Sequence, residues 1–240
     1  MENPRSPLQN RLLAALSESE FQRIEPHLKL VHLELGQVLR KPGQQSTHLY
    51  FPVDSVISLV YLLHDGHTGE IAVVGREGVV GISLFMGGGS TPSEAVVELA
   101  GDAYRLPGKV MTEEFFRARD LEHVLLLYTQ ALLVQMGQTA ICNRHHRVEQ
   151  QLCRWLLMLL DRQPSNEVNM TQELIAQMLG VRREGVTQAA RKLREENIIT
   201  YVRGRIVVQD RPALEARCCE CYEVVRRQYD HLYRNLQRPA

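Results

Sequence analysis

The chain has 240 residues, 44% of them hydrophobic, with 28 basic and 28 acidic side chains, enough for one large or two small domains with a real core. It has no apolar leader at its start and no uninterrupted apolar run of about 18 residues, so neither export nor a membrane span is expected. Five cysteines, an odd number, then read as reduced thiols of a cytoplasmic protein. The balanced charge is unevenly placed: residues 1–143 hold 11 basic against 16 acidic side chains, and residues 144–211 hold 12 against 8. An acidic front and a basic rear suit a sensor joined to a nucleic-acid binder.

In chain order, Leu12, Leu13, Leu16, Phe21 and Ile24 have helical spacing. Ser17 is expected to cap a second short helix, with Glu20 completing a capping box. After Pro26 the rhythm is that of short strands. Val31, Leu33 and Leu35 alternate with polar positions, Lys41-Pro42-Gly43 makes a corner, and the run Val56–Leu63 returns as Glu70–Val74 through an Asp65-Gly66 turn. Gly87-Gly88-Gly89 forms a loop before the last strands, Ala95–Leu99 and Tyr104–Leu106. Such strands and turns build a sandwich, roll or barrel. Pro107-Gly108 ends this region, and Thr112 with Glu113 and Glu114 starts a short helix.

A longer helix is predicted over residues 120–144. Leu121, Leu125, Tyr128, Leu132, Gln135, Thr139 and Cys142 step along at alternating fours and threes, a coiled-coil seam, with Val124, Leu127, Ala131 and Val134 beside it. Two apolar faces need two partners: the β region for one and the same helix of a second subunit for the other. Residues 147–161 form a further amphipathic helix.

The strongest functional pattern runs from Asn169 to Asp210. Thr171 is placed to cap a helix whose apolar face is Leu174, Ile175, Met178 and Leu179, and Gly180 ends it. A second helix follows, with Val186, Ala189, Ala190 and Leu193 inside. Arg182, Arg183, Glu184, Thr187, Gln188, Arg191 and Arg194 form its outer face. Then two β-rich runs fold about Gly204, a wing that can lay Arg203 and Arg205 along phosphates. This is a winged helix-turn-helix with a basic, hydrogen-bonding face shaped for a major groove. A rival reading gives the same helices a protein partner instead of DNA. No paired carboxylates, nucleophile–base set or metal-ligand spacing suggests an enzyme.

Taken together, these parts resemble the Crp/Fnr superfamily of bacterial transcription regulators, most specifically in TQELIAQMLGVRREGV and VRGRIVV. The resemblance implies an α+β fold: helices over 1–25, an antiparallel, jelly-roll-like β-roll sensor over 26–110, and a short helix plus a long dimerisation helix over 111–145. A winged helix-turn-helix over 146–210 and a C-terminal helix over 211–240 complete it. It also implies double-stranded DNA with a near-palindromic operator as partner, a homodimer, and RNA polymerase as a further candidate partner. Base contacts would come from Arg183, Glu184 and Gln188. Arg182 stands where the family often has a cap, Gly185 lies inside the recognition helix, and Gln188 replaces a common arginine.

The sensor departs further from the family. Ile82 follows Gly81 where cyclic-nucleotide-binding members carry the ribose glutamate, and Pro92-Ser93-Glu94-Ala95 stands where their phosphate-binding arginine and hydroxyl would be. No cofactor is therefore expected, and cyclic AMP and cyclic GMP are not expected as ligands. The loop Gly87–Ser90 could offer backbone N–H groups to an anion, but such loops more often serve as turns. Cys218, Cys219 and Cys221 invite a metal or thiol-switch role, yet on one amphipathic helix they read as small buried residues. His145 and His146 read as exposed hinge residues. No metal site is expected.

Overall fold

The computed structural model describes residues 6–117, 119–163 and 165–236. At the start, two single 3-10 turns, Pro7–Gln9 and Leu13–Ala15, precede helix α1 (Glu18–Ile24). Asn10 explains the irregularity. Its buried amide donates to Pro52 O and Gly78 O, both at 2.9 Å, and its side-chain oxygen accepts from Leu12 N at 3.1 Å. These bonds pin the segment to the β domain in place of a regular helix. The expected capping box does not form, because Ser17 makes no side-chain cap bond. Glu20 instead accepts from the backbone N–H of Leu121 at 2.9 Å and of Asp120 at 3.3 Å. Its carboxylate thus caps the long helix 100 residues away, where the helix dipole favours negative charge.

Seven strands form two antiparallel sheets. The three-stranded sheet takes β1 (Lys29–Leu33), β7 (Gly101–Pro107) and β3 (His48–Pro52) in that order. The four-stranded sheet is ordered β2 (Val38–Arg40), β6 (Glu94–Leu99), β4 (Val56–Leu62) and β5 (Thr68–Val74). β4 and β5 pair antiparallel from Ile57↔Val74 to Leu62↔Thr68 about the turn at Gly66, whose φ of 85° suits glycine. Leu49, Phe51, Ile57, Val74, Val97 and Leu106 are buried, with Ile57, Val74 and Val97 paired on one face of the four-stranded sheet.

Helix α2 (Gly108–Arg117) starts four residues earlier than expected; Thr112 lies inside it and donates to Gly108 O. Helix α3 (Arg119–His145) follows, then α4 (Val148–Leu160). The C-terminal domain comprises β8 (Glu167–Asn169), α5 (Gln172–Leu179), α6 (Arg183–Glu195), β9 (Ile199–Val202) and β10 (Arg205–Val208). The tail is not one helix but two, α7 (Arg211–Arg217) and α8 (Glu220–Leu236), broken at Cys218-Cys219.

α8 runs back along α3 towards the β domain. Tyr222, Val225, Tyr229, Leu232 and Tyr233 are its buried face, and Tyr233 donates through its hydroxyl to Glu77 O. This places the four-and-three stripe of α3 on the face that meets its own chain. Leu121, Leu125, Tyr128, Leu132, Gln135, Thr139 and Cys142 are buried within their own chain. Tyr128 donates to Val79 O at 3.0 Å and Gln135 to Val73 O at 3.0 Å, so these two polar members of the stripe bond the β domain. What α3 leaves exposed is another stripe: Leu126, Leu133 and Ile141, at 51%, 60% and 53% accessibility, with Gly137 between them. By length and composition α3 could cross a membrane, but its buried face is packed on the roll and α8.

Candidate nucleic-acid interface

The sequence folds locally as its pattern requires. Thr171 caps α5 by accepting from Leu174 N at 3.2 Å, and Gly180 ends the helix at φ 65°. Val186, Ala189, Ala190 and Leu193 hold α6 against the domain, while Arg182, Arg183, Glu184, Thr187, Gln188 and Arg191 are all exposed along one side. Arg182 is the N-cap residue and makes no side-chain cap bond, which leaves its guanidinium available to a phosphate. Thr187 is more constrained than its exposure suggests. Its hydroxyl lies 2.7 Å from Gln172 Oε1 and 3.0 Å from Arg183 O, bracing the two helices of the motif. Gly185 faces α4, and a methyl group there would meet Val148 Cγ2 at 3.4 Å. Arg191 pairs with Glu195 one turn on, at 2.7 Å.

Behind α6, β9 and β10 pair from Ile199↔Val208 to Val202↔Arg205. The two-residue turn is Arg203-Gly204, with φ of 51° and 82°. Both central residues are left-handed, the turn geometry that follows strand twist, and Arg203 adopts it at a steric cost glycine would not meet. The turn thrusts Arg203 into solvent at the tip. Arg205 is also exposed but is held by Glu167 on β8 at 2.5 Å, so it meets a phosphate only by sharing or releasing that carboxylate.

The reader is also in contact with the sensor. The β4–β5 turn overhangs the start of α6 across a cleft of about 580 Å³ lined by His67, Glu173, Gln177, Arg182, Arg183 and Glu184. Thr68 donates to Gln177 O at 3.3 Å there.

Inside the roll the ligand region differs from the sequence reading in one respect. An arginine does reach it, from β2 rather than from residues 92–95. The buried Arg40 donates to Ser93 O at 3.2 Å, to Ser93 Oγ at 3.0 Å and to Ser46 Oγ at 3.4 Å. Among the described residues no carboxylate pairs with it, and burial lowers its pKa. A three-residue strand beside Lys41-Pro42-Gly43 gave no periodic signal to reveal it. The space before it is about 40 Å³, an order of magnitude below the several hundred Å³ of ordinary small-molecule sites. The glycine loop is closed as well, since Gly88 N and Gly89 N both donate to Ser83 O, at 3.0 and 3.1 Å.

Two other polar groupings are assembled only by the fold, although the sequence singles out Cys219, Cys221 and His146 separately. On the four-stranded sheet, Ser58 Oγ lies 2.6 Å from Glu70 Oε2 and 2.7 Å from Glu98 Oε2. One hydroxyl proton can serve only one of them, so a protonated carboxyl completes the group. Burial, and for Glu70 the neighbouring Glu98, push the two carboxyls up to about 8 and about 7. At the end of α3, Cys142, His146, Cys219 and Cys221 converge with all four ligand-type atoms within 4.8 Å of one another. Cys219 Sγ lies 3.6 Å from Cys142 Sγ, and His146 Nδ1 lies 3.6 Å from Cys221 Sγ. Hydrogen bonds from Cys142 and Cys218 pull the Cys219 thiol far below its ordinary range. This corrects two expectations: His146 turns inward while His145 alone is exposed, and the cysteines sit across a helix break instead of along one helix face.

Two family models match the chain: a cyclic nucleotide-binding domain over residues 30–117 and a Crp-like helix-turn-helix domain over residues 150–217. Among solved structures, the chain is similar to a putative transcriptional regulator of the Crp/Fnr family from Eubacterium rectale. The TM-score is 0.68 at 18% identity, over 89% of this chain and 98% of that one. It is similar also to FixK2 from Bradyrhizobium japonicum (TM-score 0.69, 16% identity, 80% and 98% covered). A CRP-family transcriptional regulator from Thermus thermophilus gives 0.66 at 19%, with 78% and 95% covered. No curated protein matches the chain.

Proposed function

Since the chain belongs to the Crp/Fnr superfamily of transcription regulators and carries its helix-turn-helix DNA-binding domain, we propose that it is a dimeric, sequence-specific regulator that does not answer to a cyclic nucleotide. The observation that carries the DNA part is the exposed, basic, hydrogen-bonding side of α6, flanked by the Arg203 tip of the wing. Arg183 can be bidentate to guanine, Glu184 can accept from cytosine N4, and Gln188 can pair with adenine. Arg182 and Arg203 are phosphate contacts, and Arg205 joins them once freed from Glu167. Two copies meeting on the Leu126–Leu133–Ile141 stripe would set their α6 helices in successive major grooves, about 34 Å apart on a near-palindromic operator. The cytoplasm is the compartment this work requires, and RNA polymerase is the natural further partner. The family consists of regulators, and no enzymatic role is proposed.

The sensor part rests on the 40 Å³ space before Arg40 and on the Gly88 and Gly89 amides being spent on Ser83 O. Selection from a random DNA pool should yield one near-palindromic site with half-sites a helical turn apart. Failure to enrich any sequence would overturn the DNA reading. In isothermal titration neither cyclic AMP nor cyclic GMP should give heat, and micromolar binding of either would overturn the sensor reading.

A further inference from the structure

The convergence of Cys142, His146, Cys219 and Cys221 is not used by DNA reading, and its geometry is that of a ligand set. A tetrahedral zinc ion with Zn–S of about 2.3 Å and Zn–N of about 2.0–2.1 Å holds neighbouring ligand atoms roughly 3.5–3.8 Å apart. The Cys142–Cys219 and Cys221–His146 separations are both 3.6 Å, and no pair in the set exceeds 4.8 Å. We propose that these four residues form a closed, tetrahedral zinc site that latches the end of α3 to the α7–α8 break.

Three further features support the assignment. His146 presents Nδ1 to the thiols while its Nε2 faces Glu220 Oε2 at 3.4 Å, the carboxylate–histidine arrangement that fixes the ring of a metal ligand. The backbone around the set is braced by Gln151 on α4, whose Nε2 donates to His146 O at 2.9 Å and reaches Cys142 O at 3.5 Å. Finally, the donors are three sulfurs and one nitrogen, all four residues being buried or nearly so, which selects a borderline-soft cation and leaves no position open for a substrate. The spacing also matches one ion and not a multi-iron cluster, which needs its sulfurs farther apart. Cys218, at the end of α7, and Cys153, on α4, stand outside the set.

The latch has a location with consequences. Cys142 and His146 lie in and just past the last turn of the sensor's long helix, and Cys219 and Cys221 lie where the chain leaves the reader. Zinc would therefore fix the angle between sensor and reader, and because the ligands come from distant parts of the chain, its binding would be linked to folding.

The test uses the full-length protein purified with its thiols reduced. Elemental analysis should find one zinc per chain after dialysis against a mild chelator. Replacement by cobalt should give the intense visible d–d bands of a four-coordinate, thiolate-rich site. Cys219→Ser and Cys221→Ser should abolish the bands and the stoichiometric zinc, whereas Cys218→Ser and Cys153→Ser should keep both. Stripping zinc from the wild type should raise hydrogen exchange in residues 142–147 and 217–221 without unfolding the roll. The proposal is overturned by metal-free protein that takes up no cobalt with all thiols reduced, by bound iron in place of zinc, by a native Cys142–Cys219 disulfide, or by His146→Ala retaining wild-type cobalt bands.

Discussion

Single side chains carry separable tasks. Arg183, exposed in the first turn of α6, is the group expected to read a base edge, so Arg183→Ala should cost about 1–3 kcal/mol at one base pair per half-site and relax the preference there. A binding-site selection that returns an unchanged consensus would remove it from the reading set. Arg203→Ala should act differently, weakening every sequence alike and lowering the salt slope by roughly one phosphate. The buried pair Glu70–Glu98 makes a prediction about stability. Both carboxyls are raised above their unfolded value, so the folded state keeps protons that the unfolded chain has already lost. Their stabilising contribution is full below the ordinary carboxylate range and fades as pH climbs through about 7 and about 8. Urea unfolding should therefore show stability falling on the order of a few kcal/mol between about pH 5 and pH 9. Glu70→Gln should flatten that slope, and an unchanged slope would show the pair to be ionised in both states.

At the scale of elements, α3 shows what a sequence pattern can and cannot say. Its length and amphipathic character were readable from the four-and-three spacing of Leu121, Leu125, Tyr128 and Leu132. The destination of that spacing was not. Periodicity marks a face as apolar without naming what covers it, and α8, about a hundred residues later in the chain, covers much of it. For the proposed dimer, the other stripe is the apolar face of α3 left for a second copy, and Leu133→Glu should convert the protein to a monomer in sedimentation and lower operator affinity at least tenfold. A dimer that survives the substitution would place the interface elsewhere. The helix-turn-helix was legible for the opposite reason. Thr171, Gly180, Val186, Leu193 and Gly204 act locally, within a few residues of where they are read. Glu20, Arg40, Asn10 and the Cys–His set act on partners remote in sequence, 77 residues apart in the case of Cys142 and Cys219. No spacing rule reaches that far.

For the whole molecule, sensor, reader and tail are joined by a buried polar knot as well as by apolar packing. Arg162 pairs with Glu77 at 2.7 Å, donates to Met158 O at 2.7 Å and to Gln135 Oε1 at 3.0 Å, and lies near the Tyr229 ring. Removing one partner of such a pair strands a charge, so Glu77→Ala should cost about 3–5 kcal/mol in denaturant unfolding. A loss below about 1 kcal/mol would mean that water enters to replace the carboxylate. The return of α8 to the sensor also changes how the protein should be divided. By connectivity the reader is an insertion: the chain departs at His146, builds the DNA-binding domain, and comes back at Cys219 to finish the sensor. The outgoing and incoming strands cross side by side, within the span of a few side chains. Beyond that crossing the reader is held to the sensor at two further places, by Thr68 on Gln177 O at 3.3 Å and by Arg162 on Glu77 at 2.7 Å. Any rearrangement of the reader must break or remake those contacts together, and neither half is a complete unit once the chain is cut between them.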